Sequence, residues 1–138
     1  MAKILIVDDE QDIAELISDA LMDENYETVV KNNSADAIKE IENNPAFDLI
    51  LLDIMMPGMS GTELCSYIRK KVNCPIIFVS AKSSTLDKLV GFEIGADDYI
   101  AKPFDIYELV ARVKAHLRRE NRLKIITDEN IIEIGEIK

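Results

Sequence analysis

Leu49-Ile50-Leu51-Leu52-Asp53-Ile54-Met55-Met56-Pro57-Gly58 is the stretch on which the fold turns. Four apolar residues run straight into a carboxylate, and a Pro-Gly turn follows. A short unbroken apolar run bounded by turn signals reads as a strand of a parallel sheet, buried on both faces. Packing gives such a strand no reason to end on Asp. The carboxylate therefore belongs in the crevice beyond the strand ends, where open α/β sheets place their chemistry.

Working outward, four other short apolar runs flank this one. Ile4 to Val7 ends on Asp8-Asp9, Pro75 to Val79 ends on Ser80, and Asp98 to Ala101 ends on Lys102-Pro103; Tyr26 to Val30 is the weaker fourth. Helical patterns lie between and after them. One places Ile13, Leu16, Ile17, Ala20 and Leu21 on one face, and one is capped by Ser34 and carries Ala37, Ile38 and Ile41. A third spans Thr62 to Lys70 with Leu64, Tyr67 and Ile68 inward. A fourth is opened by Ser83 or Ser84, holds Leu86, Leu89, Val90 and Ile94, and is closed by Gly95. The last is capped by Asp105 and carries Ile106, Leu109, Val110, Val113 and Leu117. Strands alternating with helices predict an α/β fold, a doubly wound parallel sheet with helices on both faces.

After Arg119 the pattern breaks. Residues 120–130 read as a linker, and Ile131 to Ile137 as a strand with nothing after it to pack on. An isolated strand is not stable by itself; it either covers an edge of the main domain or, the preferred reading, begins a second domain.

The composition is that of an ordinary globular domain: 138 residues, 48% hydrophobic, 30% charged, net charge −10. The acidic balance argues against this segment gripping nucleic acid by itself. No apolar run is long enough to span a membrane, and the apolar start ends in two aspartates, unlike a signal peptide. Cys65 and Cys74 form no CxxC pair and read as reduced thiols of a cytoplasmic protein. The single histidine, His116, excludes a His-rich metal site and reads as a helix-surface residue.

The residues that end the strands carry the chemistry. In a parallel sheet those ends share one edge, so Asp8, Asp9, Asp53, Ser80 and Lys102 converge. Each has an ordinary use when taken singly, as a helix cap, a turn residue or a solvated charge. Together they form a phosphoryl site. Two carboxylates ~4 Å apart repel by roughly 4 kcal/mol at a near-surface dielectric, so three need a cation. Oxygen ligands without Cys or His suit Mg²⁺. Lys102 supplies a point charge and Ser80 a hydroxyl for phosphoryl oxygens, with Asp53 as the nucleophile.

Val7-Asp8-Asp9-Glu10, Leu51 to Gly61, Val79-Ser80-Ala81 and Gly95 to Phe104 resemble the receiver domain of bacterial response regulators, over roughly residues 2–119. The resemblance implies a flavodoxin-like sheet in the order 2-1-3-4-5 and a switch rather than a turnover enzyme. It implies phosphorylation of Asp53 by a partner histidine kinase. It places Mg²⁺ on Asp9, Asp53 and the Met55 carbonyl with Asp8 assisting, makes the Lys102-Pro103 bond cis, and makes Ser80 and Tyr99 the moving parts. The closest branch is the OmpR/PhoB type, with a winged-helix DNA-binding effector domain. That branch dimerises through helix four, strand five and helix five; the matching pairs are Lys88 with Glu108, Asp98 with Arg112, and Glu93 with Arg119. Glu108 and Arg112 are also four apart and can pair within one helix. Met55 stands two past the acceptor and Lys82 two past Ser80; Met55 cannot orient a hydrolytic water by a strong hydrogen bond, which implies slow self-dephosphorylation.

Other functions fit less well. A haloacid-dehalogenase-like phosphatase needs a second acid where Met55 stands. In a flavodoxin-like cofactor binder, Asp8-Asp9-Glu10 repels phosphate, and a P-loop is excluded because no GxxxxGK is present. A free-standing receiver acting only by protein contact remains the alternative.

Overall fold

The computed structural model describes residues 1–81 and 84–137, apart from the side chains of residues 85, 86 and 123–137. The expectations for Lys82, Ser83 and the Leu86 side chain lie outside the described residues. The elements are β1 (Lys3–Val7), α1 (Gln11–Asp23), β2 (Glu27–Lys31), α2 (Ser34–Asn43), β3 (Leu49–Leu52), α3 (Gly61–Arg69), β4 (Ile76–Ser80), α4 (Thr85–Ile94), β5 (Asp98–Ala101) and α5 (Ile106–Ile137). The five strands are all parallel and lie in the order β2-β1-β3-β4-β5. The expected fold class is therefore the observed one.

The strand period of two sorts the core into two layers. Leu5, Val7, Ile50, Leu52, Ile76 and Phe78 point to one side, where α2 and α3 bring Ala37, Ile41, Leu64, Cys65 and Ile68. Ile4, Ile6, Leu49, Leu51, Ile77 and Val79 point to the other, against Ala14, Ile17 and Leu21 of α1 and Leu109 and Val113 of α5. All four residues of β3 are buried. Full burial of one such aliphatic side chain contributes about 1.5–3 kcal/mol, which is why the central strands read as unbroken apolar runs.

Four expectations need correction. Leu16 is exposed, and Ser18 is buried instead, its hydroxyl 2.7 Å from that of Thr28. The buried stripe of α1 is Ala14, Ile17 and Leu21, and Leu16 lies one helical step off it. Asn33, not Ser34, caps α2, its side chain accepting from the Asp36 N–H at 2.8 Å. Leu89 and Val90 face solvent, because α4 meets the sheet through Gly91, where a Cβ would lie 3.0 Å from the Phe78 ring. Ser84 does cap α4, in a reciprocal box with Asp87. Finally, α5 continues to Ile137, through the stretches expected as linker and strand. A strand there needs a neighbouring strand for its backbone groups, whereas a helix satisfies them within the segment, and residues 119–134 contain neither Pro nor Gly.

Candidate functional site

The strand order reverses between β1 and β3, the point where ligands bind in open α/β sheets. Asp8 follows β1 and Asp53 follows β3, so the two carboxylates stand side by side at that reversal. The Asp53 N–H still donates to Val7 O at 2.9 Å, which fixes its backbone while its side chain leaves the sheet. Gly61 closes the loop after it. A Cβ at position 61 would lie 2.1 Å from the Asp53 carbonyl oxygen, so only glycine permits α3 to start this close.

Ligand oxygens of Asp8, Asp9, Glu10 and Asp53 all lie within 4.8 Å of one another. Lys102 reaches into this group from the end of β5. Its Nζ donates to Asp8 Oδ2 at 3.0 Å, Asp53 Oδ2 at 3.2 Å and Glu10 Oε1 at 3.4 Å. The Lys102–Pro103 peptide is cis. Among the described residues, one ammonium faces four carboxylates, so these groups carry an excess of negative charge. Its donor set is all oxygen, which fits a hard divalent cation such as Mg²⁺.

Asp53 is only 3% exposed. Burial pushes its carboxyl up from 3.8 to about 6; repulsion by Asp8 adds to this, while the Met55 N–H and Lys102 act against it. The Met55 N–H donates to Asp53 Oδ1 at 3.1 Å, and the Met55 side chain stands half-exposed at the mouth. Burial works against the Lys102 charge, but Asp8 and Asp53 overcome it and hold the ammonium above its usual range.

Ser80 is fully buried at the end of β4, and its backbone carbonyl accepts from the Lys102 N–H at 2.8 Å. Tyr99 is buried beside it, its ring edge-on to Phe78 at 5.9 Å. Burial raises the Tyr99 phenol, against a hydrogen bond from Ser80. Asp53, Ser80, Lys102 and Tyr99 thus lie in one continuous region.

The residues expected at a dimer face lie along α4, β5 and α5. Asp98 Oδ1 accepts from its own chain's Arg112 at 2.8 Å, and Arg112 also pairs with Glu108 at 3.1 Å. His116 Nε2 lies 3.1 Å from Asp98 Oδ2. Burial pushes the Asp98 carboxyl up, but the Tyr99 N–H, His116 and Arg112 outweigh it and hold the group below its usual range. Glu93 and Arg119 are exposed and Lys88 is half-buried.

The profile of the response regulator receiver domain matches residues 4–114. The chain belongs to this family. Curated relatives agree. The response regulator ArlR of Staphylococcus saprophyticus is 46% identical over 132 residues, covering 96% of this chain and 60% of that protein. The nisin biosynthesis regulatory protein NisR of Lactococcus lactis is 50% identical over 122 residues, covering 88% of this chain and 53% of that protein. This receiver chain thus spans about 60% of the length of ArlR. Among solved structures, a Francisella response regulator receiver domain superposes with a TM-score of 0.82 at 36% identity, covering 87% of this chain and 99% of that one. The BeF3-activated N-terminal receiver domain of Klebsiella pneumoniae RstA superposes with a TM-score of 0.79 at 34% identity, covering 84% and 98%. A receiver domain is not a classical enzyme, and among the described residues no helix is long and apolar enough to cross a membrane.

Sequence reasoning identified Asp8, Asp9, Asp53, Ser80 and Lys102, and the structure brings them together. It gave no role to Glu10, although Glu10 joins the acidic group and reaches Lys102. Its position beside Asp8-Asp9 was the available signal, but a carboxylate there serves equally well at the N-terminus of a helix.

Proposed function

We propose that Asp53 is the phosphoacceptor of a two-component signalling switch and takes its phosphoryl group from a phosphohistidine on a sensor histidine kinase. One Asp53 carboxylate oxygen forms a bond to phosphorus while the phosphorus–imidazole nitrogen bond breaks. The electron pair leaves with the imidazole, which takes up a proton. Asp9, Asp53 and the Met55 carbonyl would hold Mg²⁺, with Asp8 assisting, and the ion would supply positive charge against the phosphoryl group. Lys102 and Ser80 then hold phosphoryl oxygens. The observation that carries this reading is the lysine itself: one ammonium, 9% exposed, held at 3.0–3.4 Å from Asp8, Asp53 and Glu10. It is placed to follow charge added to Asp53.

The output we propose is the one that the resemblance to receiver domains implies. Ser80 moves toward the new phosphoryl oxygens, and Tyr99 follows it. The surface of α4, β5 and α5 changes in consequence, and two copies dimerise through Lys88 with Glu108, Asp98 with Arg112, and Glu93 with Arg119. The exposed Leu89, Val90 and Phe92 of α4 support an apolar centre for that contact. We assign residues 1–119 to the receiver and residues 120–130 to the connection. Residues 131–138 begin an effector domain of the OmpR/PhoB type, through which the cytoplasmic protein binds DNA and regulates transcription.

Intact-mass spectrometry after incubation with acetyl phosphate and Mg²⁺ tests the central claim. One added phosphoryl group on the wild-type chain and none on Asp53→Ala is expected. Modification of Asp53→Ala, or no modification of wild type after a rapid quench, overturns it.

A further inference from the structure

We infer that Asn32 and Ser34, in the connection from β2 to α2, are positioning residues that set the width of the acidic pocket. The inference rests on the phosphoacceptor reading and extends it to two residues that touch none of the reacting atoms.

β1 and β2 run in register up to Val7 and Lys31. The Asp8 N–H makes one more ladder bond, to Lys31 O at 3.1 Å, and there the strands part. At that point a side chain takes over. Asn32 Nδ2 donates to the Asp8 carbonyl oxygen at 2.9 Å. Asn32 thereby holds the pocket wall that carries Asp8, Asp9 and Glu10.

Two residues on, Ser34 Oγ donates to the Met59 carbonyl oxygen at 2.8 Å, across 25 positions of sequence. Ser34 is the first residue of α2 and is 5% exposed. Its hydroxyl has no capping task, because Asn33 performs it. Alanine suits a helix better than serine. The buried hydroxyl is accounted for by Met59.

Met59 belongs to the loop that forms the opposite wall. That loop is closed at its base by the Gly61 N–H on Ile54 O at 2.9 Å, and it touches the acceptor through the Met55 N–H. Its tip is tied by Ser34. One short connection, the three residues Asn32 to Ser34, therefore grips both walls of the pocket. Lys102 bridges the two walls at Asp8 and Asp53, but one ammonium offsets only part of the repulsion among four carboxylates, and the remainder pushes the gap open. The two hydrogen bonds keep it at the width a divalent ion requires.

The test is the Mg²⁺ dissociation constant of the unphosphorylated chain, measured by titration calorimetry, with urea unfolding in parallel. Ser34→Ala and Asn32→Ala are each expected to weaken Mg²⁺ binding by about tenfold, the scale on which groups that orient metal ligands act. Phosphoryl uptake from acetyl phosphate should slow at low Mg²⁺ and recover when Mg²⁺ saturates. Wild-type Mg²⁺ affinity in both variants overturns the inference, even if their urea midpoints fall. Should one variant not fold, the other carries the same readout. A wild-type chain that binds no Mg²⁺ sinks the phosphoacceptor reading and this inference with it, whereas equal binding by wild type and variants sinks the positioning role alone.

Discussion

At the scale of the residue, Asp53 is costly before it is useful. The folded chain holds its proton more tightly than the unfolded chain does, with the carboxyl raised from 3.8 to about 6. By linkage, the metal-free fold therefore gains stability from this group as pH falls from about 6 toward 3.8, and loses it as pH rises. At pH 7 the ionised group destabilises. Asp53→Asn should accordingly be more stable than wild type in EDTA at neutral pH, on the order of 1–3 kcal/mol, with the difference vanishing near pH 4. Urea unfolding across that pH range measures it, and saturating Mg²⁺ should narrow the gap by stabilising only the wild type appreciably. Met55 bears on the lifetime of the phosphorylated state. Its thioether is a weak acceptor and cannot orient a water in line with phosphorus. Met55→Asn should speed loss of the phosphoryl group several-fold, worth about 1 kcal/mol of barrier; an unchanged or slower loss counts against this account. The place of Asp53 in the site was legible because a carboxylate ending a buried strand has few structural excuses. Glu10 was not legible, since a helix start explains it equally well.

At the scale of the element, the loop between β3 and α3 is the most constrained part of the site. Gly61 admits α3 against the Asp53 backbone, with no space for a Cβ at 2.1 Å from a carbonyl oxygen. Gly61→Ala must displace the loop or the strand end. It should cost roughly 1–3 kcal/mol, as overpacking does, and reduce phosphoryl uptake more than its stability loss explains; denaturant midpoints and uptake rates on the same samples check both. The helix faces show where periodicity runs out. α1 and α5 bury the stripes expected of them at Ile17, Leu21, Leu109 and Val113. α4 does not, because its close approach at Gly91 sets how the helix lies and leaves Leu89, Val90 and Phe92 outside. An apolar residue at helical spacing says that some face is apolar, and only the neighbouring element says whether that face is covered.

At the scale of the whole molecule, the proposed dimer must exchange bonds rather than simply add them. Asp98 and Arg112 already pair within the chain at 2.8 Å, and Glu108 and His116 join them. Association therefore gains only the difference between contacts within and between copies, and the apolar patch on α4 must contribute. Leu89→Asp should abolish dimerisation of the phosphorylated chain in sedimentation while leaving phosphoryl uptake intact; a dimer that survives it uses another face. The sequence by itself determined the parallel α/β sheet and the convergence of Asp8, Asp9, Asp53, Ser80 and Lys102, because strand ends in such a sheet share one edge by geometry, and its motifs carried the resemblance to the family. Only the tertiary structure decided that the Ser34 hydroxyl reaches Met59, that α4 turns its apolar residues outward, and that α5 continues to Ile137. The physical reason is range. Strand runs and caps are fixed by neighbours in sequence, whereas these outcomes depend on contacts between residues tens of positions apart, or on whether a partner strand is there to pair with.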